Sequence, residues 1–164
     1  MEEKIYVSEA ITVDEYDLII HFSKKSIVFY DNYKRLMSSN VKTIIYRNKY
    51  PIGFLNLVDE RVNGALFMDI FIDEEYRNRG YAALAYKDLE KKYDKDVFII
   101  AQTKKDNIGA NLSLFKNGTL IKEKDDMNFY LMNKSREEEF LNSDSYDSFV
   151  SHFGLNSNKV YIKK

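Results

Sequence analysis

One stretch of this 164-residue chain has the residue types and spacing for chemistry. Residues 65–72 are mostly apolar, Asp73, Glu74, Glu75 and Tyr76 follow, and Arg77, Asn78, Arg79, Gly80, Tyr81, Ala82 and Ala83 then lead into an apolar-striped segment. A tight turn that opens a helix exposes N–H groups with no carbonyl four residues back, and the helix dipole adds positive potential there. Phosphate is the ligand that suits such a turn. Gly80 permits close backbone approach and a positive φ. Ala82 and Ala83 leave the first turn uncovered, and Arg77 and Arg79 add charge. The stretch lacks the Gly-Lys-Ser/Thr ending of the nucleotide P-loop and the three glycines of the dinucleotide fingerprint. By itself Arg-x-x-Gly-x-Ala suits an ordinary basic strand-to-helix connection equally well.

Composition narrows the chemistry further. Hydrophobic residues are 45% and charged residues 31%, enough for a packed core, and the formal net charge of −1 gives no basic excess for nucleic acid or an anionic membrane. There is no cysteine, so disulfides, thiolate metal sites and a Cys nucleophile are excluded. His21 and His152 are too few for a His-rich cluster, and no metal is expected. No apolar run approaches the ~20 residues of a membrane helix, and the N-terminus carries no basic-then-apolar signal. The expectation is a soluble cytoplasmic protein with neither nucleic acid nor membrane as partner.

The elements that must position the arginine turn follow from periodicity. A short strand is expected over 4–9. Thr12 and Glu15 form a capping-box start for a helix with apolar residues at Tyr16, Ile19, Ile20 and Phe22. A second helix is expected over 26–37. Three strands follow, at 41–47, 52–58 and 65–73, joined by turns at Asn48–Pro51 and Asn63-Gly64, and are expected to form an antiparallel meander. A helix over 81–93 carries Leu84, Ala85, Leu89 and Tyr93 as its stripe. The apolar run 97–101 reads as a buried strand. A helix over 107–116, stopped at Asn117-Gly118, precedes a hairpin of 119–124 and 127–132. The fold class is mixed α/β, in the order β-α-α-β-β-β-α-β-α-β-β. The domain is expected to span 1–133. Residues 134–164 form an extension with a capped start at Ser135, a helical stripe of Tyr146, Phe149, Val150 and Phe153, and a last strand at Val160–Ile162, packing on the domain or on a second subunit.

Taken together, motif and order resemble the GNAT superfamily of acyl-CoA-dependent N-acetyltransferases. The family signature Gln/Arg-x-x-Gly-x-Gly/Ala is matched by Arg77 to Ala82. Ile72 to Arg77 resembles the family's approach to that loop, and Asn107-x-x-Ala110 and Lys116-x-Gly118 resemble its helix-and-turn pattern. The resemblance runs from about Thr12 to Met132. It implies a central, mostly antiparallel sheet, splayed to admit acyl-CoA and flanked by helices. It further implies pantetheine contacts from the backbone of Ile70, Phe71 and Ile72, a diphosphate wrapped by Arg77, Asn78, Arg79, Gly80, Tyr81, Ala82 and Ala83, and a contact to the CoA arm from Asn107. One departure bears on chemistry: Leu114, beside Phe115, stands where the family often has the Tyr that protonates the leaving thiolate.

The activity that the resemblance implies is direct acetyl transfer from acetyl-CoA to a primary amine. An amine near pKa ~10 must lose a proton first. Asp69 is the candidate base, with a solvent-facing strand residue as the alternative reading. Glu74 and Glu75 read as surface charges. His21 and the tyrosines Tyr16, Tyr30 and Tyr33 lie where this family often binds acceptors, yet helical spacing suits them to packing as well. A catalytically inactive acyl-CoA-binding sensor is the competing reading, and an unrelated phosphate-binding α/β domain is a third. The acceptor amine is not legible, and a homodimer through the last strand or the tail stays open.

Overall fold

The computed structural model describes residues 3–26, 29, 33–93 and 95–155. The chain forms two compact units, Met1–Val58 with Met68–Lys92, and Asp59–Phe67 with Tyr93–Lys164. The elements run β1 (Ile5–Glu9), α1 (Val13–Ser23), α2 (Tyr33–Met37), β2 (Val41–Arg47), β3 (Tyr50–Val58), β4 (Ala65–Ile72), α3 (Tyr81–Tyr93), β5 (Phe98–Lys104), α4 (Ile108–Asn117), β6 (Thr119–Lys124), β7 (Met127–Leu131), α5 (Glu137–Leu141) and α6 (Asp144–His152). Through β7 this is the order expected from periodicity. β4 is shared, its first three residues belonging to the second unit and the rest to the first.

In the first unit the strand order is β1-β2-β3-β4, and β1/β2 and β2/β3 are antiparallel. The β2/β3 register shifts at Ile45/Tyr46: Ile45 faces Gly53 and Tyr46 faces Pro51, so Ile52 is the extra residue. The single proline thus sits beside a bulge, where its missing N–H costs no ladder bond. Ile52 turns its carbonyl to the Asp73 amide, 2.8 Å away, which ties the end of β4 down. Gly53 is set by packing: a Cβ there would lie 2.0 Å from the Phe71 carbonyl oxygen, so only glycine lets these backbones approach. Ile19 and Phe22 of α1, Leu36 of α2, Ile44, Phe54 and Phe71 form one buried cluster. Phe54 stacks on Phe71 at 5.9 Å between ring centroids. Each such burial stabilises by about 1.5–3 kcal/mol.

The second unit has the order β4-β5-β7-β6. Here β4 and β5 are parallel over only three pairs, Ala65↔Phe98 to Phe67↔Ile100, while β5/β7 and β6/β7 are antiparallel. Its core joins Phe67, Phe98, Ile100, Ile121, Phe129 and Leu131 to Phe140 of α5 and Tyr146, Phe149 and Val150 of α6.

Three local expectations are corrected. Ser26 is not helical; its hydroxyl accepts from the Phe29 amide in a turn, and the described helix is only α2. β5 runs on to Lys104 because β7 pairs with its polar end. Ser135 lies inside a 3₁₀ turn, Lys134–Arg136, and is not an N-cap. The expected strand at Val160–Ile162 and residue Tyr30 lie outside the described residues.

Candidate functional site

The arginine turn opens with a cap. Asp73 accepts from the Glu74 amide at 3.0 Å and starts a 3₁₀ turn, Glu74–Tyr76. Its other oxygen pairs with Lys25 at 3.0 Å. The chain then turns through two left-handed residues, Asn78 at φ 64° and Gly80 at φ 78°. Asn is among the few residues that tolerate this region, and alternation of hand near a helix start makes a concave nest of amides. Gly80 supplies the first intrahelical acceptor, taking the Leu84 amide at 3.3 Å. Among the described residues, none of the amides from Asn78 to Ala83 donates to a protein acceptor. A Cβ on Gly80 would meet nothing within 4 Å. Six donors, an open approach and the positive end of a 13-residue helix converge here.

The two arginines do different work. Arg77 donates its Nε to the Ile72 carbonyl at 2.7 Å and lays its guanidinium 5.2 Å from the centre of the Phe71 ring. It braces the turn against the end of β4. Arg79 donates to the Glu75 carbonyl at 3.1 Å and sits over Tyr76, on an exposed stretch. Tyr81 is buried, and its hydroxyl donates to Glu3 at 2.8 Å. Ile70 is half-buried, and Phe71 and Ile72 are buried, their side chains packed inward.

Asp69 is not facing solvent. Its side chain is 12% exposed and both oxygens accept from Arg35, at 2.9 Å from Nε and 3.2 Å from Nη2. Bidentate charge-assisted pairs of this kind are among the stronger polar contacts. Glu74 and Glu75 are exposed. His21 is exposed beside Phe22, and Tyr16 packs against the first unit's core with Lys42 over its ring. In the second unit Asn107 is the N-cap of α4, accepting from the Ala110 amide at 3.3 Å. Leu114 accepts the Gly118 amide through its carbonyl. Among the described residues no group of three His, Asp or Glu is placed to hold a metal ion, and no helix is long and apolar enough to cross a membrane.

Residues 10–118 match the Acetyltransferase (GNAT) family, well over half of the chain. The chain belongs to the GNAT acetyltransferase family. No curated protein matches it significantly. Solved GNAT structures share its fold at low identity. The ribosomal-protein-S18-alanine N-acetyltransferase from Escherichia coli aligns at TM-score 0.64 and 12% identity, covering 79% of this chain and 93% of that one. An acetyltransferase of the GNAT family from Bacillus cereus aligns at 0.60 and 19% identity, covering 78% and 96%. Campylobacter jejuni N-acetyltransferase PseH, solved in complex with acetyl coenzyme A, aligns at 0.56 and 15%, covering 78% and 97%.

Within this GNAT chain, three residues around the turn escaped the sequence reading. Glu3, Arg35 and Gly53 each act on a residue between 18 and 78 positions away. For Gly53 a signal existed, a glycine inside an apolar strand, which marks a bulge or a close approach. Glu3 and Arg35 are ordinary charges in the sequence, and only the fold supplies their partners.

Proposed function

We propose that this protein transfers the acetyl group of acetyl-CoA directly to a primary amine. The single observation that carries the reading is the set of unpaired amides from Asn78 to Ala83 at the start of α3, open to solvent at Gly80. Family membership supplies the reaction class. The CoA diphosphate would lie on these amides, with Arg79 beside it. The backbone of Ile70, Phe71 and Ile72 would take the pantetheine as an added strand, along the part of β4 beyond Phe67 that pairs with no residue of β5.

In the reaction, the neutral amine nitrogen attacks the thioester carbonyl, the C–N bond forms and the C–S bond breaks. A strand N–H near Phe71 would hold the developing oxyanion. The amine proton leaves to Asp69 or to water, and water protonates the thiolate, because Leu114 offers no acid. For Asp69 to act, one oxygen must be released from Arg35.

Those last two facts favour a second reading, an acyl-CoA-binding sensor without turnover. Calorimetry with CoA and thiol release from acetyl-CoA over a panel of amines separate the two. Binding with turnover on some amine supports the enzyme. Binding with no turnover on any amine supports the sensor. No preference for CoA over ATP at moderate salt would remove both.

A further inference from the structure

We propose that Glu3 is a positioning residue for the amide cradle, acting through Tyr81; the proposal rests on the acetyl-CoA reading above. Tyr81 is the first residue of α3 and 4% exposed, so its side chain is fixed by packing, and its hydroxyl ends on Glu3 Oε2 at 2.8 Å. The other oxygen of Glu3 takes two bonds from Arg47 at the end of β2, at 2.6 Å and 3.2 Å. Arg47 in turn pairs in register with Ile5 of β1. Seven residues along α3, Asp88 accepts the Val7 amide at 2.9 Å. Residues seven apart lie on one helix face. The helix is therefore tied at two points on one side, to Glu3 just before β1 and to Val7 within it, and the first tie falls on its opening turn.

That placement has a chemical consequence. The direction of the Tyr81, Ala82 and Ala83 amides depends on the pose of this turn. A hydroxyl anchored at its first residue removes freedom that ligand binding would otherwise have to remove. Charge is arranged to match. The Arg47 guanidinium first, then the Tyr81 hydroxyl, hold the Glu3 carboxyl below the ordinary value, with Arg79 adding to the same effect. Glu3 is thus an ionised anchor whose charge Arg47 offsets, which keeps it from repelling a phosphate.

The test uses the whole chain and CoA. Glu3→Ala, a substitution at a half-exposed side chain, is expected to weaken CoA about fivefold or more by calorimetry. Glu3→Gln keeps an acceptor for Tyr81 and should restore most of that loss. Tyr81→Phe removes the hydroxyl alone and should behave as Glu3→Ala. Coupling is reciprocal, so CoA should slow amide exchange across residues 5–9 in the wild type and much less in Glu3→Ala. A wild type that binds CoA, with Glu3→Ala and Tyr81→Phe binding equally well, overturns the positioning role and leaves the acetyl-CoA reading standing. A wild type that does not bind CoA overturns both.

Discussion

Gly80 lets the anion cradle be tested with two substitutions at one left-handed position. Its φ of 78° costs an alanine about 1–2 kcal/mol, so Gly80→Ala measures strain alone, and no clash is added because its Cβ meets nothing within 4 Å. Gly80→Asp carries no more strain than that, since Asp tolerates the left-handed region better than Ala, and it adds a carboxylate in the open approach. A diphosphate seated on the Gly80 to Ala83 amides would place a phosphate about 5 Å from that carboxylate. Coulomb repulsion at that distance is about 0.8 kcal/mol at the dielectric of water and about 3 kcal/mol at an effective value near 20. The expected gap in CoA affinity between the two variants therefore lies between about fourfold and a few hundredfold, and more than about tenfold is expected at low salt. Gly80→Asp should melt no lower than Gly80→Ala, since its backbone strain is no greater. Raising the salt should narrow the gap. A folded Gly80→Asp that binds CoA as tightly as Gly80→Ala refutes the reasoning, because no phosphate would then be near residue 80.

Three further outcomes are expected. Gly53→Ala should separate β3 from β4, because its Cβ would fall 2.0 Å from the Phe71 carbonyl and 3.1 Å from the Ile72 Cα; overpacking of about 1–3 kcal/mol at about 2–4 °C per kcal/mol would show as a clear fall in melting temperature. Asp69→Asn should lower the turnover rate with little change in CoA affinity, and an unchanged pH–rate profile would clear Asp69 of the proton-accepting role. Backbone N–H bonds from Thr12 and Ile11 hold the Glu15 carboxyl below its ordinary 4.5. Its stabilisation is then complete above that value and disappears as pH falls through the lower folded value. Glu15→Gln should therefore be less stable near neutrality and lose less on acidification, as acid-denaturation curves would reveal.

Much of the arrangement was legible because local signals agreed with the final structure. The Thr12–Glu15 capping box forms as read. The arginine turn opens α3 at Tyr81, the residue expected. The stripe of Tyr146, Phe149 and Val150 is buried. Legibility failed where long-range partners decide. Polar Gln102 to Lys104 do not look like strand, yet they pair with Phe129, Asn128 and Met127 of β7. Asp69 reads as a solvent-facing carboxylate until Arg35, 34 residues earlier, closes on it.

The aromatic packing beneath α5 and α6 separates ancestry from mechanics. The family match covers residues 10–118, while Phe140, Tyr146 and Phe149, each fully shielded, fill the middle of the second unit. A chain trimmed at residue 118 would lose β6 and β7 together with α5 and α6, and would leave Phe67, Phe98 and Ile100 facing water. Anyone dissecting this molecule has to cut by its interior rather than by its kinship.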